Sequence, residues 1–240
     1  MLKTEISLDG RMETWDWPAI EQNLDEAGYA KIPGLLAPEE CARLIELYSN
    51  DSLFRNRVDM AQYRFGQGEY KYFSYELPPL VQELRSAFYP HLVGVANGWN
   101  EKLGLPGVYP ASLADFLDYC HFQGQPKPTP LVLKYDAGGY NCLHQDLYGA
   151  VAFPFQVVFA LSQRGTDYEG GELLLVEQRP RAQSIGQVIT LEKGQGLIFT
   201  NRYRPVASSR GYYRANVRHG VSKLQQGTRY SLGIIFHDAQ

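Results

Sequence analysis

Apolar and polar positions follow two different periods along this chain, and the change falls near residue 126. Before that point the apolar residues recur at helical spacing. Asp16 suits a helix N-cap and Pro18 the first turn after it, so a helix is predicted to run to about Ala27 and stop at Gly28. A short strand over 29–33 follows. Pro38-Glu39-Glu40 then opens a second helix, with Cys41, Leu44, Ile45 and Tyr48 on one face. Residues 54–65 read as irregular strands. Pro79 begins a long helix bearing Leu80, Leu84, Phe88 and Leu92, and a further helix is predicted over about 112–122.

At Pro126-Lys127-Pro128-Thr129-Pro130 the helical pattern ends, because three prolines in five residues cannot lie inside a helix. Short apolar runs follow at 131–135, 155–161, 172–176, 187–191, 196–200, 212–218 and 229–236, with turn residues between them. Runs of this length signal a β-sandwich or barrel. The expected organisation is one domain over 1–240, with 1–125 as mainly helical support and 126–240 as the catalytic β core. The fold class is mainly β with helical support (α+β).

Composition narrows the class without naming a function. The 240 residues are 44% hydrophobic and 20% charged, which excludes a disordered or rod-like chain. Aromatics reach 13%, with 17 tyrosines, 23 glycines and 14 prolines, as befits a strand-rich fold with many turns. No stretch approaches the roughly 18 uninterrupted apolar residues of a membrane span; the longest candidate, 150–161, contains Pro154 and Gln156. The N-terminal MLKTEISLDG has no apolar signal region. Cys41, Cys120 and Cys142 are odd in number and far apart, and read as reduced thiols of a cytoplasmic protein.

The candidate chemistry centres on His144-Gln145-Asp146. In or beside a strand, residues i and i+2 point the same way, so one imidazole and one carboxylate are presented together. A histidine on another strand would complete a two-histidine, one-carboxylate face, which holds Fe(II) and leaves three positions open. The best second histidine is His219, 73 residues after Asp146. Arg229 opens the last apolar run and shares a strand face with Ser231, a good seat for a carboxylate. Tyr135 lies on the deep face of the run 131–135, with a hydroxyl that needs a partner.

Taken in order, Tyr135-x-x-Gly138-x5-His144-x-Asp146, Gly170-Gly171-Glu172-Leu173, His219 and Arg229-x-Ser231 resemble the 2-oxoglutarate/Fe(II) dioxygenases, and most of all their prolyl-4-hydroxylase-like branch. The segment Gly28-Tyr29-Ala30-Lys31-Ile32-Pro33-Gly34-Leu35-Leu36, with Pro38-Glu39-Glu40-Cys41 after it, resembles the lead-in of such enzymes. The ending Leu232-Gly233-Ile234-Ile235-Phe236-His237-Asp238-Ala239 is similar to a bacterial oxygenase group labelled as acting on damaged DNA. The resemblance implies a double-stranded β-helix, or jelly roll. It implies His144, Asp146 and His219 as iron ligands, and Arg229 with Tyr135 and Ser231 as the 2-oxoglutarate seat. It further implies O2 as oxidant, with 2-oxoglutarate decarboxylated to succinate while a substrate is hydroxylated or oxidatively demethylated. One departure stands out: nucleic-acid demethylases of this superfamily carry a second arginine six residues after the cosubstrate arginine, where this chain has Ile235.

Other features admit plainer readings. His237-Asp238 are neighbours that face opposite ways on a strand and read as structural. His121 and His91 read as packing residues, Cys142 as a small buried thiol, Gly170-Gly171 as a tight turn, and Tyr140 as either a cosubstrate contact or wall. The formal net charge is −3, but residues 178–223 hold nine basic side chains and one acid, a segment of +8 that leaves −11 elsewhere. It reads as a solvated face or as a basic rim for an anionic substrate, nucleic acid included, with Arg202, Arg204, Arg210 and Arg214 near the mouth. Two other function classes compete: a non-enzymatic jelly-roll module binding a small carboxylic acid, and a zinc hydrolase. A mere binder has no use for open metal positions, and a hydrolase has none for Arg229 in the same cavity.

Overall fold

The computed structural model describes residues 8–240; most of the N-terminal stretch read above for a signal region lies outside them. The first half forms α1 (Leu8–Met12), α2 (Trp17–Ala27), β1 (Tyr29–Ile32), α3 (Pro38–Leu47), β2 (Phe54–Asp59), β3 (Gly66–Gln67), β4 (Glu69–Phe73), α4 (Pro79–Lys102) and α5 (Leu113–Phe122). The second half is β5 (Leu131–Asp136), β6 (Tyr140–His144), β7 (Phe155–Ala160), β8 (Tyr168–Gly170), β9 (Leu173–Gln178), β10 (Ile185–Ile189), β11 (Gly196–Thr200), β12 (Tyr203–Ser208), β13 (Gly211–Val221) and β14 (Leu224–Ile235). The α2 signals act as read: Asp16 Oδ1 accepts the Ala19 N–H at 3.0 Å, and Gly28 ends the helix at φ 78°.

Two antiparallel sheets carry the fold. The larger runs β1-β11-β7-β14-β5-β4-β2, with β8 also on β14; the smaller runs β10-β9-β13-β6-β3, with β12 on β13. This is the jelly roll expected from the resemblance. The front half, expected as helices, a short strand at 29–33 and irregular strands at 54–65, also supplies β3 and β4. β1 pairs with β11, and β4 with β5, so these front strands widen the larger sheet, while β3 pairs with β6 in the smaller. β6, β8 and β12 had no counterpart among the apolar runs, being short or polar. The last strand begins at Leu224 rather than Arg229.

Period-two alternation sorts the larger sheet into two faces. Val132, Val157, Phe159, Ile198, Leu232 and Ile234 face the helices and join one buried cluster with Leu84, Phe88 and Trp99. The alternate positions Val158, Ala160, Leu197 and Phe199 face the smaller sheet and pack on Leu173, Leu175 and Ile189. β7 is buried throughout because both of its faces are covered.

α4 also fixes the end of β14. Arg85 is fully buried and donates from Nε to Ile235 O at 2.9 Å and from Nη2 to Phe236 O at 2.8 Å. Its charge is met by buried Asp238, 2.7 Å away. Tyr75 Oη donates to the same carboxylate at 2.7 Å, and His121 Nε2 lies 2.8 Å from it. His121 is therefore a half-exposed polar partner of Asp238, not a packing residue as expected. His91 stacks on Trp17 at 3.8 Å. His237 is buried and accepts the Phe153 N–H through Nδ1, and burial pushes its pKa down to about 4.

Replacing one member of a buried ion pair leaves the other uncompensated. Asp238→Ala is expected to destabilise the protein by about 3–5 kcal/mol, read from urea denaturation. A loss of only a few tenths, about that of a surface change, would show that the Arg85 clamp does not hold β14.

Candidate active site

His144 ends β6, and His219 lies directly across from it on β13. Strand pairing therefore sets the two imidazoles side by side, with ring centroids 4.2 Å apart. Asp146 follows two residues after His144, and its carboxylate meets both: Oδ2 is 3.0 Å from His219 Nε2, and Oδ1 is 3.5 Å from His144 Nε2. One donor atom from each residue lies within 4.8 Å of the others, so the three could hold one metal ion. Nδ1 of His144 lies 2.8 Å from the Cys142 carbonyl, which can only accept, so Nδ1 carries a hydrogen and, in the neutral ring that a metal needs, Nε2 carries the lone pair. Gln145 ties the loop to β13 and to the turn before β12, donating to Val217 O at 2.9 Å and Arg202 O at 2.7 Å.

Two residues that the sequence reading missed grip the carboxylate. Tyr148 Oη donates to Asp146 Oδ1 at 2.7 Å, and Gln156 Nε2 donates to Oδ2 at 2.7 Å. Each oxygen thus has a fixed donor. Gln156 carried a signal, being the one polar residue inside the apolar strand Phe155–Ala160. Tyr148 shares the i, i+2 spacing from Asp146 that linked Asp146 to His144.

Burial opposes the Asp146 charge, but the facing imidazoles overcome it and hold the carboxyl well below its usual range. Burial and the neighbouring His144 charge lower His219 despite Asp146, favouring a neutral ring. At His144 burial also opposes charge, yet the hydrogen bond to Asp146 wins and the pKa is raised.

The site opens into a cavity of about 440 Å³. Arg229 and Ser231 on β14 and Tyr135 on β5 line it, with Arg229 paired across the strands to Tyr135. Arg229 is 4% exposed, and its Nη1 donates to Ser231 Oγ at 3.3 Å. Among the described residues no carboxylate pairs with it. The Tyr135 hydroxyl is buried and has no partner in hydrogen-bonding geometry; burial raises its pKa far above the ordinary phenol, partly offset by the Arg229 charge and the nearby Asn141 side chain. A buried guanidinium without an anion and an unsatisfied hydroxyl in one cavity are what a bound carboxylate would satisfy.

Several expectations are corrected. Cys142 is exposed rather than buried, and it lines the cavity from the same face of β6 as His144. Tyr140 is exposed and does not line the cavity, which leaves it neither a cosubstrate contact nor wall. Arg202, Arg204, Arg210 and Arg214 do not line the cavity either. Arg204 is buried on Glu177, its Nε 2.5 Å from the carboxylate, and Arg202 and Arg214 lie over the Tyr203 ring. The cation that does line the mouth is Arg64, on the turn before β3.

The fold is a jelly roll, and the family match makes the protein an oxygenase. Residues 68–239 match the family described as oxygenases catalysing oxidative methylation of damaged DNA, and the chain belongs to that family. It is an oxidoreductase. Uncharacterized proteins from two strains of Mycobacterium tuberculosis are 51% identical over 167 residues, covering 70% of this chain and 72% of each relative. A Pseudomonas putida prolyl-4-hydroxylase superposes with a TM-score of 0.54 at 14% identity, covering 93% of this chain and 99% of that one. An oxidoreductase of the 2OG-Fe(II) oxygenase family from Burkholderia pseudomallei gives 0.51 at 15% identity, covering 94% of each. A Trichoplax adhaerens prolyl hydroxylase, solved with a hypoxia inducible factor peptide, gives 0.53 at 14%, covering 92% and 89%. These solved structures share the fold. Among the described residues no helix is long and apolar enough to cross a membrane.

Tyr148→Phe frees one oxygen of Asp146, and loss of such an outer hydrogen bond is expected to weaken divalent-metal affinity by about 10–100-fold, read by anaerobic calorimetry. Equal affinity in the variant would remove Tyr148 from the site. Protons compete with metal for the imidazoles, and the His144 pKa lies above its ordinary value. Affinity should therefore fall as pH drops through a range somewhat above that of a free imidazole.

Proposed function

We propose that the protein is an Fe(II)- and 2-oxoglutarate-dependent dioxygenase, with His144, Asp146 and His219 as the iron ligands and Arg229, Tyr135 and Ser231 as the cosubstrate seat. The observation that carries the reading is the buried Arg229 without an acidic partner, in the cavity that also holds the histidine–carboxylate cluster. A zinc hydrolase would need no such cation there, and a simple carboxylate binder would need no ligand cluster.

Each residue has a definite task. The three ligands carry a single negative charge, which leaves an Fe(II) site net positive and receptive to an anionic keto-acid. Arg229 pairs with the distal carboxylate of 2-oxoglutarate, with the Tyr135 hydroxyl and Ser231 Oγ as further donors. Tyr148 and Gln156 hold the Asp146 carboxylate in one orientation. Tyr70, Tyr72 and Phe199 line the same cavity and limit water around the reacting groups. When bound, iron supplies the oxygen-activating redox chemistry. The net conversion takes 2-oxoglutarate, O2 and a substrate C–H to succinate, carbon dioxide and C–OH. On an N-methyl group the resulting hydroxymethyl departs as formaldehyde, so this stoichiometry removes a methyl group and contains no step that adds one.

The family description supports a nucleic-acid substrate. Ile235 lines the cavity where the resemblance noted an arginine in nucleic-acid demethylases, a departure that sets this chain apart from those enzymes. We read the chain as one oxygenase domain. Its three thiols form no disulfide, which fits a cytoplasmic setting.

The direct test is succinate formation from 2-oxoglutarate with and without Fe(II). Asp146→Ala is expected to abolish both metal binding and succinate formation; full turnover in this variant would place the reaction elsewhere. Arg229→Ala should weaken 2-oxoglutarate binding by roughly 2–5 kcal/mol, seen as a raised KM, with Arg229→Lys restoring only part because lysine lacks the planar fork. A KM unchanged in Arg229→Ala would reject the cosubstrate seat.

A further inference from the structure

The mouth of the cavity is formed in part by a turn that neither the ligand cluster nor the Arg229 seat uses. Between β2 and β4 the chain folds back on itself: Met60 N–H donates to Gly68 O at 2.9 Å and Phe65 N–H to Met60 O at 3.0 Å. Cys142 N–H donates to Phe65 O at 2.7 Å, which ties the turn to β6, the strand that ends at His144. Gly66 sits so close to β6 that a Cβ there would meet the Tyr140 carbonyl oxygen at 2.2 Å. The turn is thus held at a fixed place relative to the candidate ligands.

It presents three consecutive side chains, Tyr63-Arg64-Phe65. Tyr63 is 58% and Phe65 47% exposed, and their rings stack with centroids 5.6 Å apart and 20° between planes. Arg64 and Phe65 line the cavity, and Arg64 has no acidic partner among the described residues. Its backbone is left-handed, at φ 59°, a conformation uncommon for arginine. Exposed Leu143 and Leu147 complete an apolar rim. Asp146 is the single acid among the described lining residues, against the two cations Arg64 and Arg229. Exposed apolar surface at a cavity mouth marks a binding site, and here it comes with unbalanced positive charge.

We propose that the Tyr63-Arg64-Phe65 turn is the substrate-docking element and receives one unstacked nucleotide of a single strand, its base against Phe65 and Tyr63 and its phosphate at Arg64. Aromatic side chains alone would accept any apolar group; a guanidinium on the same turn selects a flat ring with an anion beside it. A base inside a duplex cannot offer its face to such a turn, so an unpaired or extruded base is required. The proposal rests on the oxygenase reading, since the docked base must reach the candidate ligands. It moves recognition away from the basic segment 178–223.

The test is fluorescence anisotropy of a short labelled single-stranded oligodeoxynucleotide with the full chain, Fe(II) and 2-oxoglutarate under anaerobic conditions, between low and physiological salt. Phe65→Leu should weaken binding by about tenfold, while Phe65→Trp, which keeps the stacking face, retains it. Arg64→Ala should weaken binding and reduce the salt slope by about 0.7. Arg210→Ala, at a residue outside the cavity lining, should bind as the wild type does. Thermal midpoints of the variants close to wild type tie any loss to docking rather than folding. The proposal is overturned by no binding at low salt, by equal binding in Phe65→Leu and Arg64→Ala, or by a mononucleotide, a duplex or a proline-rich peptide binding at least as tightly as the single strand. Succinate formation by the wild type is followed in parallel. Succinate without oligonucleotide binding overturns the docking element alone; binding with the stated dependence but no succinate upholds docking and removes the oxygenase chemistry.

Discussion

β14 is the strand on which both halves of this molecule converge. It pairs with β5, β7 and β8, and its side chains alternate between two unlike surroundings. Leu232 and Ile234 enter the apolar cluster beneath the helices, while Arg229, Ser231 and Ile235 enter the cavity. A slip of one residue would put the guanidinium under α4 and leucine in the cavity. The buried Arg85 on α4 guards against that slip by binding the carbonyls of Ile235 and Phe236 and pairing with Asp238. The helical half of the chain therefore does more than cover a sheet; it sets the register of the strand that carries Arg229.

The smaller sheet does the corresponding work for the other wall. Pairing of β6 with β13 places His144 opposite His219, and the loop after β6 returns Asp146 between them. The larger sheet then sends Gln156 from β7 to the Asp146 carboxylate. The carboxylate is thus held jointly by both sheets, and the candidate site lies between them rather than on either one. Their hydrogen bonds hold these groups in one arrangement, the kind of support by which a site is preorganised.

The charge of the chain is distributed less simply than the linear sequence suggests. The +8 segment admitted a solvated face or a basic rim, and its members are spread over β12, β13 and the loops around them, with Arg204 on one face and Arg214 and Arg218 on the other. Arg204 turns inward onto Glu177, and Arg202 and Arg214 turn onto Tyr203. One arginine from the other half of the chain, Arg64, reaches the mouth instead. Linear charge density predicts surface potential only when the segment presents one face, and an antiparallel hairpin presents two.

Much was legible in the sequence because it depends on local rules. The caps of α2, the proline break at residue 126 and the short apolar runs follow from propensity and period, and they suffice for a β core with helical support. The His144–Asp146 spacing and the Arg229–Ser231 spacing are also local, since i and i+2 share a strand face. Short polar strands such as β6 and β12 escaped because they gain their stability from pairing partners, not from apolar content of their own. Tyr148, Gln156, Arg64 and Phe65 join the candidate site only through contacts between residues distant in sequence or through a turn whose direction no periodicity encodes. The sequence by itself determined which residue types and spacings were on offer; the tertiary structure decided which of them meet, because strand register and sheet packing are non-local constraints.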